Sequence, residues 1–253
     1  MNPIFSRRNF IKTSTVASVS ALTVTEIVTS AFAEAKVSKI VLGQDNTFLF
    51  QGDSITDAGR KKDDMNPNNT NALGFGYSMI AGSEILFKHP EKNLKIYNKG
   101  ISGNKVYQLA ERWDADCLNL KPAVLSILIG VNDYWHKHDG KYNGTISIYK
   151  NDYKALLERT KKALPNVKLI IAEPFAVPDV KAVDKTWYPE FPEYQKAARE
   201  IAQNFDAVFI PLQSVFDKAV KMAPGSYWTV DGVHPTLAGA QLMAHSWMEV
   251  LKG

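Results

Sequence analysis

From residue 37 onward, short apolar runs alternate with longer stretches whose apolar positions recur at helical spacing. The most apolar run, residues 123–129 (Ala-Val-Leu-Ser-Ile-Leu-Ile), is nearly continuous, as expected of a parallel strand covered on both faces. Other apolar runs predict strands at 47–51, 94–98, 168–172 and 207–210, with a small edge strand at 39–42. Helical periodicity predicts helices at about 76–88, 105–119, 147–164, 190–204, 212–222 and 236–251.

Strands that alternate with helices in this way form βαβ units and a mainly parallel, doubly wound sheet. Right-handed crossovers leave few topologies, and the pattern favours a flavodoxin-like strand order in a single domain of residues 34–253. Two long loops stand out, a polar, Asn-rich one at 57–73 and a proline-rich one at 174–192. Long loops at the carboxyl ends of such strands commonly shape a binding site.

Composition is that of an ordinary globular domain, with 45% hydrophobic and 22% charged residues among 253. The formal net charge of +4 is small and dispersed, so nothing indicates a nucleic-acid partner. A chain of this length buries a sizeable core without disulfides, and the single cysteine, Cys117, is interpreted as a structural residue.

Residues 1–33 are interpreted as a cleaved export signal, with an unstructured tail or an ordinary basic signal as alternatives. Residues 6–12 (Ser-Arg-Arg-Asn-Phe-Ile-Lys) resemble the twin-arginine motif, and Ala31-Phe32-Ala33 matches the small-x-small cleavage pattern. The stretch 13–32 holds Glu26 and many hydroxyl side chains, so no stable membrane span is expected. The sequence therefore predicts a periplasmic or secreted protein that contacts the twin-arginine export machinery through residues 6–12.

A serine lies at the carboxyl end of the first predicted central strand, where open α/β sheets bind ligands. This residue, Ser54, follows a Gly52-Asp53 turn, and it can act as a nucleophile only beside a base and an oxyanion-stabilising site. Asp231 and His234 have the spacing at which a carboxylate can orient an imidazole. A capping aspartate near a surface histidine produces the same pattern, so this pair alone does not show that the two residues are catalytic.

Two further loops follow predicted strands and offer hydrogen-bond donors. Residues 98–103 include Gly100 and Gly103, which permit close backbone approach, and residues 130–133 include Asn132. A backbone N–H from the first loop and the Asn132 amide can stabilise an oxyanion, each typically contributing roughly 10²–10³ in rate. Taken singly, each loop is equally well a plain strand-to-helix turn. Four such segments at strand ends together indicate one site.

The four segments resemble the four sequence blocks of the SGNH hydrolases, also called the GDSL esterase/lipase family. They occur in that family's order and span residues 52–235. The segments are Gly52-Asp53-Ser54, Asn98-Lys99-Gly100-Ile101-Ser102-Gly103, Gly130-Val131-Asn132-Asp133 and Asp231-Gly232-Val233-His234-Pro235. Ile55 stands where the family name has leucine, which changes no chemistry.

The resemblance implies a role for each matching residue. Ser54 would be the nucleophile, His234 the general base and acid, and Asp231 the carboxylate that orients His234. The Ser54 N–H, the Gly103 N–H and the Asn132 side chain would form the oxyanion hole. The implied fold is a three-layer α/β/α sandwich around a five-stranded sheet, and the implied reaction is ester hydrolysis through an acyl-enzyme, without metal or organic cofactor.

An exported enzyme with aromatic and polar residues in its site loops suits a carbohydrate ester. Removal of acetyl groups from carbohydrates or polysaccharides is therefore the predicted reaction, partly by family analogy. The candidate substrate-binding residues are four aromatic side chains in or beside those loops: Trp135, Trp187, Tyr188 and Trp228.

Other functions remain open from the sequence. A lysophospholipase or thioesterase would use the same catalytic residues, although the polar 57–73 loop offers no long apolar groove. A carbohydrate-binding protein could retain the fold without turnover. A metal-dependent phosphoesterase using Asp53, Asp57 and Asp133 is a third alternative, although their spacing matches no recognisable ligand set.

Overall fold

The computed structural model describes residues 23–35 and 39–252. Within these ranges the strands are β1 (Ile40–Val41), β2 (Thr47–Gly52), β3 (Lys95–Asn98), β4 (Val124–Leu128), β5 (Lys168–Ala172), β6 (Val208–Ile210) and β7 (Leu251–Lys252). The α-helices are α1 (Val24–Ala35), α2 (Ser54–Asp57), α3 (Thr70–Leu73), α4 (Tyr77–Lys88), α5 (Val106–Glu111), α6 (Trp113–Asp116), α7 (Val131–His138), α8 (Ile146–Ala163), α9 (Phe191–Asn204), α10 (Leu212–Ala219), α11 (Gly225–Trp228) and α12 (Leu237–Met248). The strands predicted for the main sheet are all present, with ends that differ by at most one residue.

Five strands form one parallel sheet in the order β3-β2-β4-β5-β6. This is the flavodoxin-like order, and it confirms the predicted fold class. The register pairs Phe50 with Asn98 and Gly52 with Leu128, so β2, β3 and β4 end at the same edge. The loops that follow these strands, which hold three of the four sequence segments, therefore meet at that edge.

Helices cover both faces of this sheet. Phe48 and Phe50 of β2 pack against the Trp247 ring of α12, with ring centroids 6.1 and 5.0 Å apart. Side chains alternate between the faces of a strand, and Gln51 accordingly donates to the Asp116 carbonyl of α6 on the opposite face. All five residues of β4 are buried, which explains its continuous apolar sequence.

The structure corrects two predicted elements. The helix predicted at 105–119 is divided into α5 and α6, because the backbone leaves the helix at Arg112 and its guanidinium bonds to the loop after β3. The last helix ends at Met248, and the residues after it form β7, which pairs in parallel with β1. The predicted strand at 39–42 thus belongs to a separate two-stranded sheet rather than to an edge of the main sheet.

Helix α1 lies within the segment predicted as an export signal. Ile27, Val28 and Ala31 are buried, and the helix contacts α10 and α12. The predicted cleavage point near Ala33 falls inside α1, so cleavage there would remove most of this helix. The twin-arginine motif at 6–12 lies outside the described residues, and the export signal stays a prediction. In the described part of the chain, no helix has the length and apolarity to cross a membrane.

The single cysteine, Cys117, follows α6 and is completely buried. Burial raises the pKa of its thiol to about 12, so the reactive thiolate is not populated near neutral pH. This agrees with the interpretation of Cys117 as a packing residue.

Candidate active site

The turn after β2 presents Ser54 at the edge of the sheet. Gly52 is required for a close approach, because a Cβ at this position would lie 2.4 Å from the Leu128 carbonyl oxygen of β4. Asp53 then caps α2, its Oδ1 accepting from the Ile55 N–H at 3.0 Å. Ser54 is the first residue of that helix, a position where the backbone N–H has no intrahelical acceptor. Both its hydroxyl and its N–H are thus available to a ligand.

His234 and Asp231 lie beside Ser54 although they are about 180 residues away in sequence. The Ser54 Oγ is 2.8 Å from His234 Nε2, and His234 Nδ1 is 2.7 Å from Asp231 Oδ2. A carboxylate cannot donate, so the Nδ1–H donates to Asp231 and Nε2 is left to accept from the Ser54 hydroxyl. The two side chains predicted from their spacing in sequence therefore form one hydrogen-bonded chain with the serine.

The turn around Asp231 keeps that carboxylate ionised. Its Oδ1 accepts from the backbone N–H groups of Val233 at 3.0 Å and His234 at 2.8 Å. Burial raises the pKa of Asp231, but the hydrogen bonds from the His234 backbone and ring and from the Val233 N–H outweigh it and lower the pKa. The same four-residue turn therefore positions both the acid and the imidazole.

Gly103 lies in the loop between β3 and α5, residues 99–105, which is bonded to the turn before Ser54 because the Ile101 N–H donates to the Gly52 carbonyl at 3.1 Å. Gly103 has a φ of +80°, in the left-handed region that favours glycine. The hydrogen bonds among the described residues leave its N–H without an acceptor. Its neighbours in the loop are bonded instead: Arg60 Nε donates to the Gly100 carbonyl at 2.7 Å, and the Ser102 N–H donates to Asp57 Oδ2 at 2.9 Å.

Arg112, at the break between α5 and α6, fastens the same loop at both ends. Its Nη1 donates to the Lys99 carbonyl at 2.7 Å, and its Nε donates to Asn104 Oδ1 at 2.9 Å. Nη1 also contacts Asp116 Oδ2 at 2.8 Å, which partly neutralises the guanidinium. Charged partners make stronger hydrogen bonds than neutral ones, so the loop is held rigidly around the free Gly103 N–H.

Asn132 reaches the loop from the start of α7. Its Nδ2 donates to the Asn104 carbonyl at 3.3 Å, which leaves the second amide hydrogen for another acceptor. The next residue, Asp133, accepts from the Val106 N–H through Oδ1 at 3.2 Å. The segments that carry Gly103 and Asn132, the two oxyanion-hole candidates beyond Ser54, are thus bonded to each other.

Comparison with known proteins shows which family the chain belongs to. Residues 50–242 match the model of the GDSL-like lipase/acylhydrolase family, a span that includes all four sequence segments. The chain belongs to this family. The resemblance to the SGNH hydrolases is confirmed, and the GDSL family identifies the protein as a carboxylic ester hydrolase.

The matches to individual relatives extend over nearly the whole length of each relative. An acetylxylan esterase from Geobacillus stearothermophilus is 31% identical over 215 residues, covering 82% of this chain and 94% of the relative. A solved structure from Parabacteroides merdae, described as a GDSL-like lipase, is 51% identical with a TM-score of 0.82, covering 84% and 98% of the two chains. The structure of Axe2, an acetylxylan esterase from Geobacillus stearothermophilus, is 28% identical with a TM-score of 0.74, covering 82% and 94%. These structures share the fold of the GDSL esterase described here.

Only one of the four aromatic residues predicted to bind substrate contacts the site of this GDSL esterase directly. The Trp135 ring on α7 is partly exposed and lies 6.2 Å from the His234 ring, centroid to centroid. Trp187 packs behind it at 5.5 Å and is 1% exposed. Trp228 is 5% exposed and donates to the Ala219 carbonyl, so core packing accounts for Trp187 and Trp228. Tyr188 is half-buried, with its hydroxyl donating to the Ala176 carbonyl at 3.4 Å.

The sequence did not predict two apolar side chains that line the same cavity as Ser54. Phe75 and Leu237 are 70% and 83% exposed, and both line a cavity of about 340 Å³ that also contains Ser54 and His234. Leu237 follows the Asp231–Pro235 segment by two residues, and Phe75 follows the polar 57–73 loop by two. An apolar residue in a sequence is ordinarily assigned to the core, so exposure was the missing information.

Two buried carboxyls lie behind the site of the GDSL esterase. Burial raises the pKa of Asp53 to about 7, opposed by the Ile55 N–H, and it raises that of Asp133 to about 7, opposed by the Val106 N–H. The second oxygen of each carboxyl is buried and has no hydrogen-bond partner among the described residues. Neither carboxyl is therefore well stabilised as an anion.

Asp133→Asn is expected to reduce the pH dependence of stability. The native pKa of about 7 lies above the ordinary 3.8, so between these values rising pH ionises Asp133 first in the unfolded chain and lowers the free energy of unfolding. The amide keeps an acceptor for the Val106 N–H and cannot ionise. Urea unfolding is measured at about pH 5 and about pH 8. Between these two pH values, the free energy of unfolding of the variant should rise by on the order of 1–3 kcal/mol relative to that of the parent. The exposed Asp63→Asn is the control, and an equal gain in both variants would refute the assignment.

The metal-dependent phosphoesterase alternative gains no support from the acidic residues. Asp57 and Asp133 accept the backbone N–H groups of Ser102 and Val106, and Asp53 caps its own turn by accepting the Ile55 N–H, so each is explained as a residue that holds a loop or turn. Across residues 23–35 and 39–252, no group of three or more His, Cys, Asp or Glu side chains is arranged to bind a metal ion.

Proposed function

We propose that this protein is a serine esterase that removes acetyl groups from carbohydrates, with Ser54, His234 and Asp231 as its catalytic residues. The observation that carries the proposal is the chain of hydrogen bonds of 2.8 Å and 2.7 Å that joins the three side chains. This arrangement has the geometry of a nucleophile, a base and an orienting acid. A protein that only binds sugar has no need of it.

The reaction proceeds in two steps. His234 Nε2 takes the proton of the Ser54 hydroxyl as Oγ attacks the ester carbonyl, and the imidazolium is stabilised by Asp231. When the tetrahedral intermediate collapses, His234 gives the proton to the leaving alcohol and an acyl-enzyme remains. Water, deprotonated by His234, then attacks the acyl-enzyme and releases the acid, which restores Ser54.

The developing oxyanion is stabilised by the N–H groups of Ser54 and Gly103 and by the Asn132 amide. The hydrogen bonds that fix the β3–α5 loop support this role, because donors held in place before the reaction need no reorganisation during it. The Gly103 N–H, left without an acceptor in a loop that is otherwise bonded, is the donor this chemistry requires.

Acetylated carbohydrate is the substrate we propose. The supporting facts are the 31% identity to an acetylxylan esterase over 82% of this chain and the partly exposed Trp135 ring beside His234. An aromatic ring at the mouth of the site suits contact with a sugar. The proposed substrate class thus rests on the activity of a relative and on the position of the Trp135 side chain.

A fluorophosphonate that reacts with activated serines tests the enzyme assignment. We expect covalent labelling at Ser54, identified by mass spectrometry of the digested protein, and no labelling in the Ser54→Ala variant. Labelling of another residue would mean that Ser54 is not the nucleophile, and no labelling would favour the carbohydrate-binding alternative.

The acyl preference is tested with 4-nitrophenyl esters of increasing chain length and with acetylated xylooligosaccharides. We expect kcat/KM to be highest for acetate and acetyl release from the oligosaccharides. Activity that rises with chain length would instead favour the lysophospholipase or thioesterase alternative.

A further inference from the structure

Two segments besides the Ser54 turn line the cavity of about 340 Å³ beside Ser54. One contains Phe75 and Gly76, and the other runs from His234 to Leu237. Phe75 and Leu237 are both large, apolar and mostly exposed, 70% and 83% respectively. Exposed apolar side chains that line the same cavity as a nucleophile mark a surface that is covered when a ligand binds.

The backbone holds both side chains in place. The Phe75 N–H donates to the Ala58 carbonyl at 2.9 Å, and Gly76 packs so closely that an added Cβ would lie 2.6 Å from the Ala58 Cβ. Leu237 opens α12 directly after Thr236, whose hydroxyl accepts from the Gly239 N–H and donates to the Tyr227 carbonyl. The exposed positions are therefore fixed by the fold rather than by loose loops.

The proposed reaction assigns this cavity to one part of the ester. The carbonyl oxygen must face Gly103 and Asn132, neither of which lines the cavity. The leaving alcohol must face His234 Nε2, which protonates it, and His234 and the following three residues do line the cavity. The alcohol part of the ester thus extends between Phe75 and Leu237.

The residues that line the cavity indicate which kind of alcohol it binds. Among the described residues, no lysine, arginine or carboxylate lines the cavity, so none of them would pair there with the phosphate of a lysophospholipid. The exposed Phe75 ring offers a flat apolar face, which suits the C–H face of a pyranose whose hydroxyl groups remain in water. Resting on the proposed esterase function, we propose that this cavity binds the sugar ring of a neutral acetylated glycan, with Phe75 as the main contact.

The test compares Phe75→Ala with two controls, Phe75→Tyr, which keeps the ring, and Phe87→Ala, which removes an 85% exposed ring elsewhere. Substrates are an acetylated xylooligosaccharide, ethyl acetate, whose alcohol has no ring, and ethyl butyrate, which lengthens only the acyl group. For Phe75→Ala we expect kcat/KM on the oligosaccharide to fall about 5- to 10-fold, mainly through KM, with ethyl acetate changed less than about 2-fold. Phe87→Ala should match the parent, and Phe75→Tyr, which keeps the ring, should retain most of the oligosaccharide activity that Phe75→Ala loses.

Several outcomes would overturn the proposal. An equal loss on ethyl acetate would make Phe75 a structural residue, and a changed acetate-to-butyrate ratio would assign the cavity to the acyl group. Hydrolysis of lysophosphatidylcholine that depends on Phe75 would assign it to a phospholipid headgroup.

Binding of the oligosaccharide to the Ser54→Ala protein, with and without Phe75→Ala, is measured separately by calorimetry. A Kd that weakens about 5- to 10-fold would support the sugar site even if catalysis by Ser54 failed its own test. A Kd unchanged by Phe75→Ala would reject the sugar site while leaving the esterase assignment intact.

Discussion

Replacing Ser54 by alanine is expected to lower kcat/KM for acetyl esters by a factor on the order of 10⁵. The variant loses the oxygen that forms the acyl-enzyme, and His234 Nε2 loses its partner at 2.8 Å. The oxyanion donors and the substrate contacts remain, so a residual rate above that in water is expected. Steady-state hydrolysis of 4-nitrophenyl acetate measures the loss.

The matched control is Ser83→Ala on α4, where an exposed serine hydroxyl donates only to the Ile80 carbonyl of its own helix. This variant should keep the parent's activity. The Ser54 hydroxyl makes no contact on which the core depends, so the thermal unfolding midpoint of Ser54→Ala should stay close to that of the parent. Activity within tenfold of the parent would mean that another residue is the nucleophile.

Asp231→Asn is expected to cost about 10⁴ in kcat, the loss known for the equivalent change in a serine protease. The amide nitrogen can donate to His234 Nδ1, which favours the tautomer with the proton on Nε2. That tautomer cannot accept the Ser54 proton, although the side chain is nearly the same shape. The 2.7 Å contact would be retained while its direction is reversed.

A comparison of kcat and KM separates this effect from a general disturbance. Because the acetyl ester does not contact Asp231 in the proposed mechanism, KM should change little while kcat falls. Asp63→Asn, at an exposed carboxyl, is the control and should have neither effect. A variant that raises KM with kcat unchanged would show that Asp231 binds substrate rather than orienting His234.

The parallel sheet and the polar residues of the site could be predicted from the sequence because each depends on local patterns. The apolar run at 123–129 has the length and composition of a strand buried on both faces, and β4 is such a strand. Ser54, Gly103 and Asn132 lie in the segments that follow β2, β3 and β4, and parallel strands present these ends at one edge. Asp231 and His234 lie in one four-residue turn, and the hydrogen bonds within that turn orient both side chains.

Features that depend on distant partners could not be predicted in the same way. Nothing local to Arg112 shows that its guanidinium reaches the Lys99 carbonyl, yet α5 and α6 are separated there. The pairing of β1 with β7 joins the two ends of the domain. Aromatic residues are ambiguous for a related reason: Trp187 and Phe75 are both bulky and apolar, but only the tertiary structure buries one and exposes the other.

The charges beneath the β3–α5 loop also affect how the enzyme responds to its medium. Asp57 and Arg60 are less than a tenth exposed and bond to the Ser102 N–H and the Gly100 carbonyl of the loop that carries Gly103, and Lys99, which begins this loop, is equally buried. Dissolved ions screen exposed charges beyond about 8 Å at physiological ionic strength, but they reach buried pairs far less. We therefore expect changes in ionic strength to have little effect on the geometry of the proposed oxyanion donors. This would suit an enzyme that works outside the cytoplasm, where the predicted export would place it.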